Sequence, residues 1–137
     1  MVFELDKTIK YWRDSAAYDL ETGKSLLESK RYPYALFFGH LALEKILKAL
    51  VVKSTNQHAP HTHSLTLLAS KTAIMIPESI LDQLAEYTEF HLESRYPDEK
   101  KEFYEKCTGA FAHQKFGEIE GVYQWLIPKL EISSYGS

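Results

Sequence analysis

The sequence predicts an all-α fold, an up-and-down bundle of about five helices. The first observation behind this prediction is that apolar residues recur at helical spacing along most of the chain, while no segment alternates as a β-strand does. The second is the stretch from Ala35 to Val52, which is apolar around most of its circumference. A helix of this kind is buried on nearly every side, so it is either the centre of a bundle or also part of a subunit interface.

The first two helices are predicted from their apolar stripes. The first runs from about residue 5 to residue 30, and the second from about residue 34 to residue 53. Pro33 precedes the second helix, at a position where a first-turn proline is tolerated. Asp19 lies close to the first apolar stripe, and a carboxylate there needs a cation. The second helix offers two such cations, Lys45 and Lys48.

The third and fourth helices are shorter. A polar connection leads to the third, for which Thr62 or Ser64 is the expected N-cap before an apolar run beginning at Leu65. Pro77 then opens the fourth helix, which we expect to extend over about residues 78–92. Both helices present spaced apolar residues and therefore pack on the bundle.

The last helix follows a proline break. The segment Arg95–Asp98 interrupts the helical pattern, because the residue before a proline avoids the α conformation. Asp98 is the expected cap of one long helix from Glu99 to about Leu130, with a weaker patch at 108–109. We expect residues 1–132 to form a single domain, followed by a loose tail at 133–137.

Composition limits the classes of function. The chain has 137 residues, of which 45% are hydrophobic and 26% charged, as in an ordinary globular domain. A net charge of −3 argues against a strongly basic nucleic-acid-binding surface. The single cysteine, Cys107, excludes an internal disulfide and is expected to be a small core residue, with a reactive thiol as the alternative. With no signal peptide or membrane-spanning stretch recognisable, we predict a soluble, cytoplasmic protein.

The order of these landmarks resembles the HEPN domain, a small helical module, over about Tyr11 to Leu130. The matching residues are Trp12, Ala16, Asp19, Tyr32, Ala35, the segment His40–Ala49, Thr62–Leu65 and Arg95–Asp98. The resemblance implies a helical bundle that forms a homodimer. Many such domains are metal-independent endoribonucleases, frequently toxins beside a minimal nucleotidyltransferase antitoxin, and others bind nucleotides or RNA without cleaving it.

The cleavage motif of that family is missing here. The family's nucleases have an arginine followed four to six positions later by a histidine, a pair suited to holding phosphate and moving protons. After Arg95 no histidine occurs as far as Phe103. The resemblance therefore predicts a nucleotide- or RNA-binding module that partners a minimal nucleotidyltransferase, with no cofactor. The alternatives are a nuclease that recruits another histidine and a purely structural, partner-binding bundle.

Arg95 and Tyr96 are the leading candidates for contact with phosphate and base. Arg95 would clamp an anion, or alternatively tie its loop to Asp98 or Glu99. Tyr96 would stack on a base, although an aromatic residue beside a proline more often packs down on the bundle. His91, four residues earlier, is a weak catalytic candidate, with a partly buried, hydrogen-bonded histidine as the favoured interpretation. His113 is a similar weak candidate.

His40, Glu44 and Lys48 repeat every four residues and therefore stack on one face of the second helix. His40 and Lys48 are candidate nucleotide contacts, but we favour the interpretation that this ladder is the exposed strip of a buried helix. If the interleaved Phe37 and Leu41 were exposed and Arg95 occluded, the structural alternative would be preferred.

A metal site is not expected from the sequence. Three histidines, His58, His61 and His63, crowd one loop, but a closed zinc site needs about four donors and no cysteine is near. His63 is expected to belong to the turn that starts the third helix.

Overall fold

The computed structural model describes residues 4–131, and every regular element in that range is a helix. The helices are α1 (Leu5–Glu28), α2 (Tyr32–Thr55), α3 (Leu65–Ser70), α4 (Glu78–Thr88), α5 (Pro97–Lys106), α6 (Gly109–Leu126) and α7 (Pro128–Glu131), with a 3₁₀ turn at Leu92–Ser94. The predicted all-α bundle is confirmed. The predicted tail at 133–137 lies outside the described residues.

Helix α2 is the centre of the bundle. It contacts α1, α3, α5, α6, α7 and the 3₁₀ turn. Nearly all of its residues from Ala35 to Val52 are buried, as expected for a helix with apolar residues around most of its circumference. The prediction of a central helix is therefore confirmed.

Helices α1 and α2 form a closely packed hairpin. Lys30, with φ 65°, turns the chain between them. Gly23 permits the close approach, because a Cβ there would lie 3.1 Å from the Ala35 carbonyl oxygen. Asp19 finds its predicted partner across the hairpin, with Lys45 Nζ 2.6 Å from Asp19 Oδ2.

Two helix starts are capped by hydroxyl side chains. Ser64 caps α3 by accepting a hydrogen bond from the Leu67 N–H, which decides between the two caps expected for that helix. Thr108 accepts from the Phe111 N–H at the start of α6. The prediction of a weak patch within one long helix is wrong at this position, because the Thr108 cap starts a new helix after Lys106.

The connection from α4 to α5 also departs from expectation. Helix α4 ends at Thr88 rather than near residue 92, and the chain then forms the 3₁₀ turn. Helix α5 begins at Pro97 with Tyr96 as N-cap, so Asp98 lies inside the first turn and is not the cap. The Glu99 carboxylate accepts a hydrogen bond of 3.0 Å from the Tyr96 N–H, which fixes this start.

Cys107 is buried in the core at 7% exposure, as expected for a small core residue. No helix within residues 4–131 is long and apolar enough to cross a membrane.

Candidate functional site

The polar ladder of α2 is buried. His40 has no exposed surface, Glu44 is 4% exposed and Lys48 is 8% exposed. The interpretation of the ladder as an exposed strip is therefore wrong. The 62–64 loop and the end of α4 cover this face, and His40 Nδ1 donates a 3.0 Å hydrogen bond to the Tyr87 carbonyl.

The Glu44 carboxylate joins three side chains. Its Oε1 lies 3.1 Å from both His40 Nε2 and His63 Nδ1, and its Oε2 accepts a 2.9 Å hydrogen bond from Lys48 Nζ. Burial alone disfavours the charged form, but the hydrogen bonds from His40, Lys48 and His63 outweigh it and hold the pKa of Glu44 at about 2. A buried carboxylate at this position is therefore ionised near neutral pH.

His91 packs against the same cluster from the α4–α5 connection. Its ring centroid lies 3.8 Å from that of His63 and 5.2 Å from that of His40. The residue is buried as expected, but its Nδ1 has no hydrogen-bond partner among residues 4–131. Burial, followed by the positive charges that His40 and His63 can carry, lowers the pKa of His91. The ring is therefore neutral near pH 7.

Three of these residues offer donor atoms to a common point. One ligand atom each of His40, Glu44 and His91 lie within 4.8 Å of one another. Of the three loop histidines, His63 reaches this cluster, and it directly precedes the α3 cap as expected. The sequence does not predict this group of four side chains, because they come from three segments: helix α2, the loop before α3 and the start of the 3₁₀ turn.

Arg95 is held by Glu89. Its Nε and Nη2 donate hydrogen bonds to the Glu89 carbonyl oxygen. Nη2 also donates a hydrogen bond of 3.2 Å to Glu89 Oε1. The predicted carboxylate partners, Asp98 and Glu99, are not the ones used, because the 3₁₀ turn folds Arg95 back over the end of α4. Within the described chain the Nη1 group of Arg95 donates to no protein acceptor, and the side chain is 18% exposed.

Arg95 and His91 share a hollow of about 220 Å³, which Thr88, Glu89, Ser94 and Glu99 also line. A neighbouring hollow of about 280 Å³ contains Arg95 and Lys106 among four glutamates, Glu86, Glu89, Glu99 and Glu102. Both hollows are therefore rich in carboxylates around their cations.

Tyr96, the next residue along the chain, projects into solvent. The residue is 77% exposed, so the expectation that it packs down on the bundle is wrong. The reason is its place as N-cap of α5, where the extended backbone turns the ring away from the core. An exposed aromatic face is available there.

The remaining candidates lie elsewhere or inside the core. His113 Nδ1 donates 2.9 Å to the Gly109 carbonyl on α6, and His113 lines neither hollow that contains Arg95. Phe37 is buried at 4% exposure, and Leu41 is half-buried. The exposed apolar pair that would favour a purely structural bundle is therefore missing.

Comparison with known structures agrees with this fold. The protein TT1696 from Thermus thermophilus is 19% identical, with a TM-score of 0.74, and the match covers 88% of this chain and 97% of that one. ST0689, an archaeal HEPN homologue, is 22% identical with a TM-score of 0.70, and the match covers 89% of this chain and 97% of that one. A search of curated proteins found no match.

A family model for the HEPN domain matches residues 9–129, from the first turns of α1 to α7. This range contains the buried polar cluster, the Arg95 hollows and the α5 start. The chain belongs to the HEPN domain family.

Proposed function

We propose that this HEPN domain is a nucleotide- or RNA-binding module whose contact surface is the start of α5, and that it binds without cleaving. The observation that carries the proposal is the solvent-exposed ring of Tyr96, the next residue after Arg95, whose Nη1 group donates to no acceptor among residues 4–131. Together these two neighbours offer a stacking face and a phosphate donor, which are the two elements needed for contact with a nucleotide.

Charge makes the aromatic ring the main contact. The carboxylates around Arg95 repel phosphate, and Glu89 already engages part of the guanidinium. Stacking on an aromatic ring needs no charged group on the protein and contributes about 1–3 kcal/mol per base. Arg95 then supplies a single phosphate contact through Nη1. Lys48 and His40, the other predicted contacts, have too little exposed surface to serve from their present positions.

The experiment compares Tyr96→Ala with Tyr18→Ala. Both tyrosines are exposed, at 77% and 68%, but Tyr18 lies on α1 and lines neither hollow that contains Arg95. Fluorescence anisotropy with a labelled single-stranded RNA and with a labelled mononucleotide measures the affinity of each variant. We expect Tyr96→Ala to weaken binding about 5- to 150-fold, the range that corresponds to loss of one stacked base. Tyr18→Ala should match the parent.

Equal affinities for the two variants and the parent would contradict the proposed surface. The two probes distinguish the ligand classes. A mononucleotide that binds as tightly as the RNA indicates a nucleotide site.

We also propose, from the family, a homodimer and a minimal nucleotidyltransferase as protein partner. Light scattering of the purified chain measures its mass, for which we expect twice that of one chain. Co-purification with a minimal nucleotidyltransferase from the same genome tests the second partner. A strictly monomeric chain that captures no such enzyme would contradict both assignments.

A second candidate function is metal-independent RNA cleavage by Arg95 and His91. The observation that favours it is that the two side chains line one hollow, with His91 neutral and therefore able to accept a proton. It predicts RNA cleavage that persists in a chelator and is lost in His91→Ala. Cleavage that His91→Ala leaves unchanged would exclude this candidate.

A further inference from the structure

We propose that His40, Glu44 and His91, closed by His63, form a binding site for a divalent transition-metal ion, with zinc as the best-suited metal. The site ties the central helix to the loop before α3 and to the α4–α5 connection. It adjoins the hollow at Arg95 through His91, but its test does not depend on RNA binding.

The hydrogen bonding of His40 is the first argument. A carbonyl oxygen only accepts, so the contact with Tyr87 requires the proton of His40 to be on Nδ1. In neutral His40 the Nε2 lone pair then faces Glu44 Oε1 at 3.1 Å, and a carboxylate oxygen also only accepts. Two acceptors this close require a cation between them, which is either a second proton on the ring or a metal ion.

The surroundings of these two ligands match a metal site. A histidine ligand typically donates its other ring N–H to a carbonyl, as His40 does to Tyr87. A carboxylate that binds through one oxygen is typically held by a hydrogen bond to the other, as Lys48 holds Glu44 Oε2. Glu44 therefore has Oε1 available as a single-oxygen ligand, with its orientation already fixed.

The donor spacing is close to that of a tetrahedral site. Zinc bonds of about 2.0–2.2 Å place two ligand atoms roughly 3.3 Å apart. His40 Nε2 and Glu44 Oε1 are already 3.1 Å apart, and the nearest donors of the three residues all lie within 4.8 Å of one another. A side-chain rotation that brings these donors to the tetrahedral spacing closes the set around one ion.

His91 supplies the independent observation. Its Nδ1 is buried without a hydrogen-bond partner in residues 4–131, in a ring packed between His40 and His63. A buried polar atom without a partner is costly, and a metal ion is a partner that would remove this cost. His63 would supply the fourth donor: its Nδ1 lies 3.1 Å from the same Glu44 oxygen, its side chain is 55% exposed, and a rotation of its ring off that of His91 would turn it towards the ion. An ion therefore reaches the cluster from solvent at His63.

Metal binding would also restrict the use of His91. An imidazole whose lone pair binds zinc cannot accept a proton through that nitrogen. Zinc binding is therefore incompatible with the acid–base role that the second candidate function gives to His91. It is compatible with the binding surface at Arg95 and Tyr96.

The experiment measures zinc bound to the full chain, prepared without a histidine tag and treated with a chelator. Titration with zinc, followed by mass spectrometry of the bound metal, should give one ion per chain, and thermal unfolding should move to a higher temperature. Cobalt as a substitute should give the visible absorption of a four-coordinate site. A parent chain that binds no zinc overturns the proposal.

The decisive variant is His91→Phe, with His61→Ala as control. Phenylalanine fills the space of the ring and packs against Phe37, and no hydrogen bond of His91 Nδ1 is lost, so the metal-free variant should fold. We expect its zinc affinity to fall by more than about 100-fold, beyond the usual effect of losing a residue that merely supports a ligand. His61 is exposed in the same loop as His63, and its replacement should leave zinc affinity unchanged. Zinc affinity unchanged in His91→Phe overturns the proposal.

Discussion

Glu44 contacts three side chains of the polar cluster, two on its own helix and one in the loop before α3. One of its oxygens faces His40 on its own helix and His63 before α3, and the other accepts from Lys48. The four-residue spacing of the ladder predicted that these helix residues are neighbours. It did not predict their burial, because burial depends on the loop and the 3₁₀ turn that fold over this face.

Cys107 leads to a prediction about reactivity. Burial raises the pKa of its thiol to about 11, so the thiolate is rarer by roughly 100-fold than in an unfolded chain, and 7% exposure limits access further. We expect native protein at pH 8 to react with a disulfide reagent at least 100-fold more slowly than protein unfolded in denaturant. The increase in absorbance of the thiol released from the reagent gives the reaction rate of the native and of the unfolded protein.

The direction of this shift also has a consequence for stability. A thiol with a raised pKa stabilises the fold below its unfolded pKa near 9, and the contribution is lost as the pH rises towards 11.

Equal reaction rates for the native and unfolded chains at pH 8 would contradict the reactivity prediction and show that Cys107 is exposed.

The partner of a side chain could be predicted from the sequence only where the adjacent helix offers few candidates. The partner of Asp19 was narrowed to two lysines because a carboxylate near the core needs a cation on the adjacent helix, and Lys45 fills that role. The partner of Arg95 was not predicted, since Glu89 becomes its neighbour only when the chain leaves α4 and turns back.

At the level of elements, the helices and their order were predictable but two of their ends were not. Apolar periodicity located α1, α2, α4 and the last helical region. The end of α4 at Thr88 and the split after Lys106 depend on local hydrogen bonds. The apolar spacing continues across both breaks, so periodicity alone extended the helices too far.

Replacing a glycine by alanine should have opposite effects at Gly23, where α1 packs on α2, and at Gly117, on the open face of α6. A Cβ at Gly23 would lie 2.8 Å from Phe116 Cε1 and 3.1 Å from the Ala35 oxygen, while a Cβ at Gly117 meets nothing within 4 Å. Overpacking costs about 1–3 kcal/mol and exceeds the gain in helix propensity, which is at most about 1 kcal/mol. We expect Gly23→Ala to lower the free energy of unfolding by about 1–2 kcal/mol. Gly117→Ala should raise it by about 0.5–1 kcal/mol.

Unfolding in urea, with unchanged dependence on denaturant concentration, measures both glycine variants. If Gly23→Ala were as stable as Gly117→Ala, α1 and α2 would not pack as closely as the Gly23 contacts indicate.

At the level of the whole molecule, family and function differ in how far the sequence determines them. The order of landmarks along the chain was sufficient to identify the HEPN family, whose model matches residues 9–129. The proposed function depends on which side chains meet at the α5 start. There the structure exposes Tyr96 and brings His91 beside Arg95, and neither arrangement follows from spacing in the sequence.

The most direct test of the proposed function follows binding and cleavage of one labelled RNA together. The parent chain and Arg95→Ala are incubated with the RNA in a chelator, and circular dichroism confirms that both are folded. We predict that the parent binds the RNA and leaves it intact, and that Arg95→Ala binds it more weakly. Cleavage by the parent that disappears in Arg95→Ala would contradict the proposed binding role and identify a ribonuclease.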